Sequence, residues 1–296
     1  MTSTSNNQQH QLDSTYSSIA DTAMISVWGR RPRGYQRHVI PHILKMINGN
    51  IPREGIMLVQ RTGSGKSSVP QTVAVVDGGV TIVIENTLAL GSDQRSKIAA
   101  ANDYTGGKVL GIQLDELKCN EDQQELSQSI CNNMDVNSST AILLFTSPET
   151  IARPVWLELI EHLIEQKVLK MICIDEVHLF VEFGVTFHPS FCVLKDKLFS
   201  LIINKSNNDS SPSSSSITTS SSITTSSTNT TSSTSLKVPL LCMTATFNHH
   251  LLLLLQKMLG ICFNMNNFFW NGPESFERRN IHISLKYSNQ VFRLVK

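Results

Sequence analysis

The chain carries almost no net charge, +1 over 296 residues, so it lacks the broad positive field with which a strongly basic protein gathers nucleic acid. Contact with a polyanion must then come from a local groove. Charged residues make up only 17% of the chain while hydrophobic ones reach 40%, which excludes a wholly disordered polyelectrolyte and leaves enough apolar surface for one large core or two small ones. No apolar run is long enough to cross a bilayer; the longest leucine run, Leu251 to Leu255, is far too short, and the polar amino end lacks the apolar region of a signal peptide. No membrane partner is expected. The six cysteines, Cys119, Cys131, Cys173, Cys192, Cys242 and Cys262, form no C-x-x-C pair and no zinc-like spacing with histidine. They read as reduced thiols of an intracellular chain without structural zinc, in which the sequons at Asn137, Asn208 and Asn229 stay idle.

What the chain does have is the stretch Gly55-Ile-Met-Leu-Val-Gln-Arg-Thr-Gly-Ser-Gly-Lys-Ser67, an apolar strand running into a glycine loop. Gly63 and Gly65 allow the backbone to fold back so that successive N–H groups point inward at an anion. Lys66 is placed to reach β- and γ-phosphates, Ser67 to offer its hydroxyl to Mg²⁺, and a helix opening at Ser67 to aim its positive end at the same charge. The general phosphate-loop pattern wants glycine where Gln60 stands.

Around this stretch the chain alternates apolar strand-like runs with helical or polar ones. Tyr35 to Asn48 carries a helical stripe, Val39, Ile40, Ile43, Leu44 and Ile47. Strand-like runs follow at Ile56 to Val59, Val80 to Ile84, Val109 to Ile112, Ala141 to Phe145, Val168 to Ile174 and Leu240 to Met243. The expected fold class is α/β, a mostly parallel, doubly wound sheet with helices on both faces. Residues 1–22, rich in Ser, Thr, Gln and Asn, are expected to be a disordered lead-in. Residues 205–235 repeat Ile-Thr-Thr-Ser-Ser and read as a disordered Ser/Thr-rich insert that leaves and re-enters one domain, 23–262.

Lys170-Met-Ile-Cys-Ile-Asp-Glu-Val-His178 is a second apolar strand, ending on two carboxylates. Asp175 is suited to hold Mg²⁺ opposite Ser67, and Glu176 to orient and polarise an attacking water. Alone, an Asp-Glu pair is more often a solvated loop. After a buried strand, and downstream of a phosphate loop, it reads as the other half of a phosphoryl-transfer site.

In these stretches and their order the chain resembles the first RecA-like lobe of a RecQ-type superfamily 2 DNA helicase, with a P-loop NTPase fold. Arg33-Gly-Tyr-Gln36 resembles the family's motif 0, which implies that Gln36 and Arg33 sit at the base and that the glutamine reads the adenine edge. Thr62, Gly63, Ser64, Gly65, Lys66 and Ser67 resemble motif I, and Thr81 to Gln94 motif Ia. Phe145-Thr-Ser-Pro-Glu149 resembles motif Ib, Asp175-Glu-Val-His178 the DEAH-type box, and Thr244-Ala-Thr246 motif III. The aromatic-rich segment Leu179 to Phe191 parallels a RecQ loop that senses single-stranded DNA, a task suited to rings that stack on bases.

The resemblance implies ATP and Mg²⁺ as cofactors and DNA, single-stranded or forked, as partner, with 3′-to-5′ unwinding in the nucleus. His178, Thr244 and Thr246 would link hydrolysis to lobe movement, and Asn86, Gln94, Phe183 and Phe187 would meet nucleic acid. The chain departs from the pattern at Glu85-Asn86-Thr87, where a carboxylate is expected to repel a DNA phosphate, and at Val185 and His188, where the family usually has histidine and arginine. Ser275-Phe-Glu-Arg-Arg-Asn-Ile281 resembles the entry to a second lobe, so 263–296 reads as a linker and the start of an incomplete one. On that reading this chain alone binds ATP weakly, hydrolyses it slowly and does not unwind DNA. The alternative is a non-unwinding nucleic-acid or protein interaction module derived from a helicase lobe; a P-loop ATPase unrelated to DNA accounts poorly for Leu179 to Phe191.

Overall fold

In the computed structural model, residues 2–85, 95, 98, 109–134, 140–184, 194–204, 233–270, 284–286 and 293–295 are described. Seven strands form one sheet: β1 (Gly55–Val59), β2 (Gly79–Ile84), β3 (Val109–Gln113), β4 (Ala141–Thr146), β5 (Leu169–Ile174), β6 (Leu240–Thr244) and β7 (Phe268–Trp270). Their order is β3-β4-β2-β5-β6-β1-β7, and every neighbouring pair is parallel. A separate antiparallel pair joins β8 (Ser284–Lys286) to β9 (Arg293–Val295).

The inner strands read as unbroken apolar runs because both of their faces are covered. Met57, Val59, Ile82, Ile84, Ile172 and Ile174 enter one core with Trp156, Leu159, Leu163 and Phe180. Ile56, Leu58, Val83, Met171, Cys173 and Met243 enter the other, with Val39, Ile43, Val69 and Val73. Side chains alternate along a strand, so one strand feeds both layers. This is the doubly wound α/β sandwich read from the sequence, and all six strand-like runs lie on observed strands. The edge strand β3, covered less completely, leaves Leu110 48% exposed.

Three boundaries differ from expectation. Residues 1–22 were expected to lack structure, yet helix α1 runs Thr2–Trp28. Its apolar positions are few but helically spaced: Ala20, Met24 and Val27 are buried, and the Trp28 indole donates to Thr72 Oγ1 (3.2 Å). A narrow stripe suffices because the helix lies against α2 (Gln36–Ile47) and α3 (Ser68–Asp77). The second difference is at 263–296, expected to start as a linker: Phe268–Trp270 instead adds a strand to β1, and Phe268 packs edge-on against Phe247 and Phe263.

The third concerns the tail of the Ser/Thr-rich insert, which is anchored. Thr234 N donates to Cys262 O (3.1 Å) and Asn204 N to Ser235 O (3.1 Å), beside an antiparallel bridge between Ile203 and Leu236. The insert therefore leaves and rejoins the fold at one place. Residues 205–232 lie outside the described residues, as do Ser275 to Ile281.

Candidate functional site

In an open parallel sheet, ligands gather beyond the carboxyl ends of the strands. Here β1 and β5 both pair with β6, which sets their carboxyl ends two strand spacings apart, about 10 Å. The phosphate loop follows β1, the two acids follow β5, and Thr244 closes β6 between them. Backbone ties fix the junction: Gln60 N donates to Thr244 O (3.0 Å), Asp175 N to Ile84 O (2.9 Å) and Val177 N to Met243 O (2.9 Å).

Gly63 and Gly65 have φ of 77° and 87°, the left-handed region that glycine enters without a Cβ penalty. The loop's carbonyls are held from one side. Arg33 Nη1 donates to Gly63 O (3.2 Å), the Tyr35 hydroxyl to Ser64 O (3.0 Å), and Gln36 Nε2 to Gly65 O (3.0 Å). Three consecutive oxygens are thus occupied by three side chains of one short segment. Tyr35 was not among the residues singled out in the sequence; its partner is remote in the chain and nothing local marks the contact. Burial raises the Tyr35 phenol above its ordinary pKa, which keeps it a donor.

Gln36 differs from its expected posture. It is 2% exposed; its Nε2 also donates to Ser68 Oγ (2.9 Å), and its Oε1 accepts from Arg33 N (2.7 Å). In this conformation both N–H groups of the amide brace the loop, and its oxygen, which can accept a second hydrogen bond, holds Arg33 N. Replacing Tyr35 with phenylalanine removes one of the three braces, and a single buried hydrogen bond is worth about 1 kcal/mol. The expected result is roughly fivefold weaker nucleotide binding at unchanged stoichiometry, read by titration with a fluorescent ATP analogue.

Helix α3 opens with Ser67 at its N-cap, and the Ser67 side chain makes no capping bond. Lys66 is 7% exposed. Its ammonium donates to Gln60 O at 3.1 Å and lies 3.6 Å from Glu176 Oε1. The cation therefore joins the loop to the acids across β6. Thr62 and Gly63 face solvent, while Ser64 is buried.

Asp175 is 7% exposed and accepts from Glu176 N at 2.9 Å. Burial, and then the neighbouring Glu176 charge, lift its carboxyl to about 6 against the opposing pull of Lys66. An acid whose pKa is higher in the fold than in the unfolded chain contributes stability that is fully present below about pH 4 and is lost as pH rises through about 6. Asp175→Asn should therefore raise the melting temperature of the nucleotide-free, metal-free chain at pH 7.5 and raise it much less at pH 5. An equal gain at both pH values would contradict this ionisation.

Glu176 has φ of 48°, a strained value for a residue with a side chain, of the kind that clusters at functional sites. Its second oxygen is 3.4 Å from His178 Nδ1, and the same nitrogen is 3.0 Å from Thr244 Oγ1. That hydroxyl donates its one proton to Thr246 O (2.9 Å) and accepts from Thr246 N (3.0 Å). A hydrogen on His178 Nδ1 would satisfy both the hydroxyl and the carboxylate that face it. A continuous polar chain thus runs Lys66, Glu176, His178, Thr244, Thr246.

The donor set suits a polyphosphate and a divalent cation. Ser64 Oγ and Gln60 Nε2 are buried without a hydrogen-bond partner, and Ser67 Oγ and the Asp175 carboxylate are hard oxygen ligands of the kind Mg²⁺ takes. The expected DNA contacts are less visible. Phe183 falls on the helix His178–Gly184, whereas Asn86, Gln94, Phe187, Val185 and His188 lie outside the described residues. Glu85, expected to repel DNA, is 2% exposed and anchored at the end of β2, where its N–H donates to Thr146 O (2.8 Å). Asp115, unremarked in the sequence, accepts from Ser147 N (3.0 Å) and Thr150 Oγ1 (2.6 Å) and so shapes the turn at Phe145 to Glu149.

Comparison with known proteins agrees with this geometry. The chain is similar to the ATP-dependent DNA helicase hus2/rqh1 of Schizosaccharomyces pombe, 28% identical over 187 residues, 59% of this chain and 13% of that protein. It is also similar to the ATP-dependent DNA helicase RecQ of Synechocystis, 28% identical over 176 residues, 58% of this chain and 33% of that protein. The chain thus spans a third or less of these relatives. A crystal structure of the DUF1998 helicase MrfA bound to DNA and AMPPNP shares the fold, with a TM-score of 0.50 and 17% identity, covering 82% of this chain and 28% of that one. The DEAD/DEAH box helicase family model matches residues 33–253, from the arginine that braces the loop to the helix after motif III, and the chain belongs to that family.

Proposed function

We propose that this chain is the ATP-binding lobe of a RecQ-like, 3′-to-5′ DNA helicase that acts on single-stranded or forked DNA in the nucleus. The Lys66 ammonium carries the reading, because it touches both the loop carbonyl of Gln60 (3.1 Å) and the Glu176 carboxylate (3.6 Å). A γ-phosphate held there lies between a cation and a base.

On this reading the loop N–H groups, Ser64 and Lys66 hold the triphosphate, and Ser67 and Asp175 hold Mg²⁺. The metal, when bound, neutralises charge that builds on the phosphoryl oxygens. Glu176 positions the attacking water and draws off its proton, with His178 steadying the carboxylate from the far side. Thr244 and Thr246, joined to His178 through one hydroxyl, carry the state of the site to the end of β6. Phe183, together with Asn86, Gln94 and Phe187, supplies contacts to the strand. Relatives named as ATP-dependent DNA helicases support DNA as the polymer.

Titration of the purified chain with a fluorescent ATP analogue, with and without Mg²⁺ and single-stranded DNA, tests the reading. Metal-dependent binding that single-stranded DNA tightens or converts to faster hydrolysis is expected. Binding indifferent to DNA would favour an interaction module or an unrelated ATPase, and no binding at all would remove the proposal.

A further inference from the structure

We infer that Gln60 is itself a nucleotide-binding residue, its side-chain amide donating to an oxygen of the bound polyphosphate. The inference rests on the nucleotide reading of the site and names a contact within it. Gln60 stands where the general phosphate-loop pattern has glycine, and it is 3% exposed. Its backbone is fully committed, the N–H to Thr244 O (3.0 Å) and the carbonyl to Lys66 Nζ (3.1 Å). The side-chain nitrogen is buried with no partner at all.

A buried donor without an acceptor lowers stability, and an orphan of this kind in a native fold calls for an explanation. The pairing of β1 with β6 continues through Gln60 N, so strand alternation sets the Gln60 side chain on the face of Ile56 and Leu58, the face where α3 packs. Ser64 Oγ, in the same loop, is a second buried atom without a partner. Two unsatisfied donors in one loop, with the Lys66 ammonium bonded to the carbonyl of the first and two residues beyond the second, await a ligand that offers several acceptor oxygens. A phosphate chain does so and carries the charge that the Lys66 ammonium favours; a lone metal ion does not.

Gln60→Met keeps the length and shape of the side chain and deletes the donor. Two readouts are needed on the full chain: the melting temperature without nucleotide, and the dissociation constant for an ATP analogue with Mg²⁺. The expected pair is an unchanged or higher melting temperature, since the orphan is gone, with affinity weakened about fivefold to twentyfold. Gln60→Glu, which sets a carboxylate against the phosphates, should weaken it further. Unchanged affinity in Gln60→Met would overturn the inference while leaving the nucleotide site standing. A lower melting temperature with affinity lost only in proportion to the unfolded fraction would also overturn it, because the amide would then be structural. Failure of the unsubstituted chain to bind the analogue would instead strike at the nucleotide reading.

Discussion

Lys66→Ala should weaken binding of Mg²⁺-ATP by about 100-fold or more while the chain stays folded. The ammonium is nearly buried and donates within the loop, so in the bound state it meets phosphate oxygens with little water to screen the contact. Charge-assisted hydrogen bonds of this type are worth about 1.5–3 kcal/mol each, and one such bond already accounts for most of a hundredfold change. The fold should survive because the ion pair broken by the substitution is long, 3.6 Å, and Glu176 is 26% exposed, so its carboxylate can turn to water. Lys66→Arg should not restore binding, since a planar fork cannot replace a compact cation in a loop this tight. Isothermal titration alongside thermal melting separates the outcomes; a melting transition lost together with binding would assign Lys66 to the core instead of the ligand.

Glu176→Gln should have the opposite signature, with binding kept within about threefold and single-turnover hydrolysis lowered by about 10²–10⁴, the range typical of a general base. Lys66 and His178 meet different oxygens of the acid, so the amide oxygen can keep the contact to Lys66, on the phosphate side, and gives up the one to His178. What is lost is the capacity to take a proton from water. The strained backbone at Glu176 supports this division of labour: φ of 48° is held by the Asp175 carboxylate accepting from Glu176 N and by Val177 N bonding to Met243 O. Excess protein over labelled ATP isolates the chemical step, so the measurement stands even if turnover is slow. Parallel loss of binding and hydrolysis would contradict the assignment.

The fold was legible where burial is symmetrical. Strands covered on both faces, such as Ile82-Val-Ile84 and Met171-Ile-Cys-Ile174, leave continuous apolar runs that no helix period explains. Strand β7 was not legible, because its three residues follow the polar Asn264 to Asn267 and it has a single partner, β1. Helix α1 was missed for a related reason: Ala20, Met24 and Val27 are a thin stripe in a polar sequence, and only their docking on α2 and α3 makes them a core.

At the site, the chemistry of Lys66, Ser67, Asp175 and Glu176 could be read from residue type and spacing, because a phosphate loop and a pair of acids after a strand leave few other uses. Their convergence could not, since it depends on β6 coming between β1 and β5. The bracing of three carbonyls by Arg33, Tyr35 and Gln36 is a contact across about thirty residues and has no local signature. Glu85 misled because a carboxylate in a sequence is taken as exposed; here the end of β2 draws it inside.

The central claim is that one magnesium-bridged triphosphate is gripped jointly by the loop before α3 and the acids after β5. A crystal structure of the chain with Mg²⁺ and a non-hydrolysable ATP analogue addresses it most directly. The account predicts the β- and γ-phosphates within hydrogen-bonding distance of Lys66 Nζ and the loop N–H groups, with the metal between Ser67 and Asp175. A nucleotide bound elsewhere, or phosphates on the loop with the acids turned away and the metal absent, would contradict it.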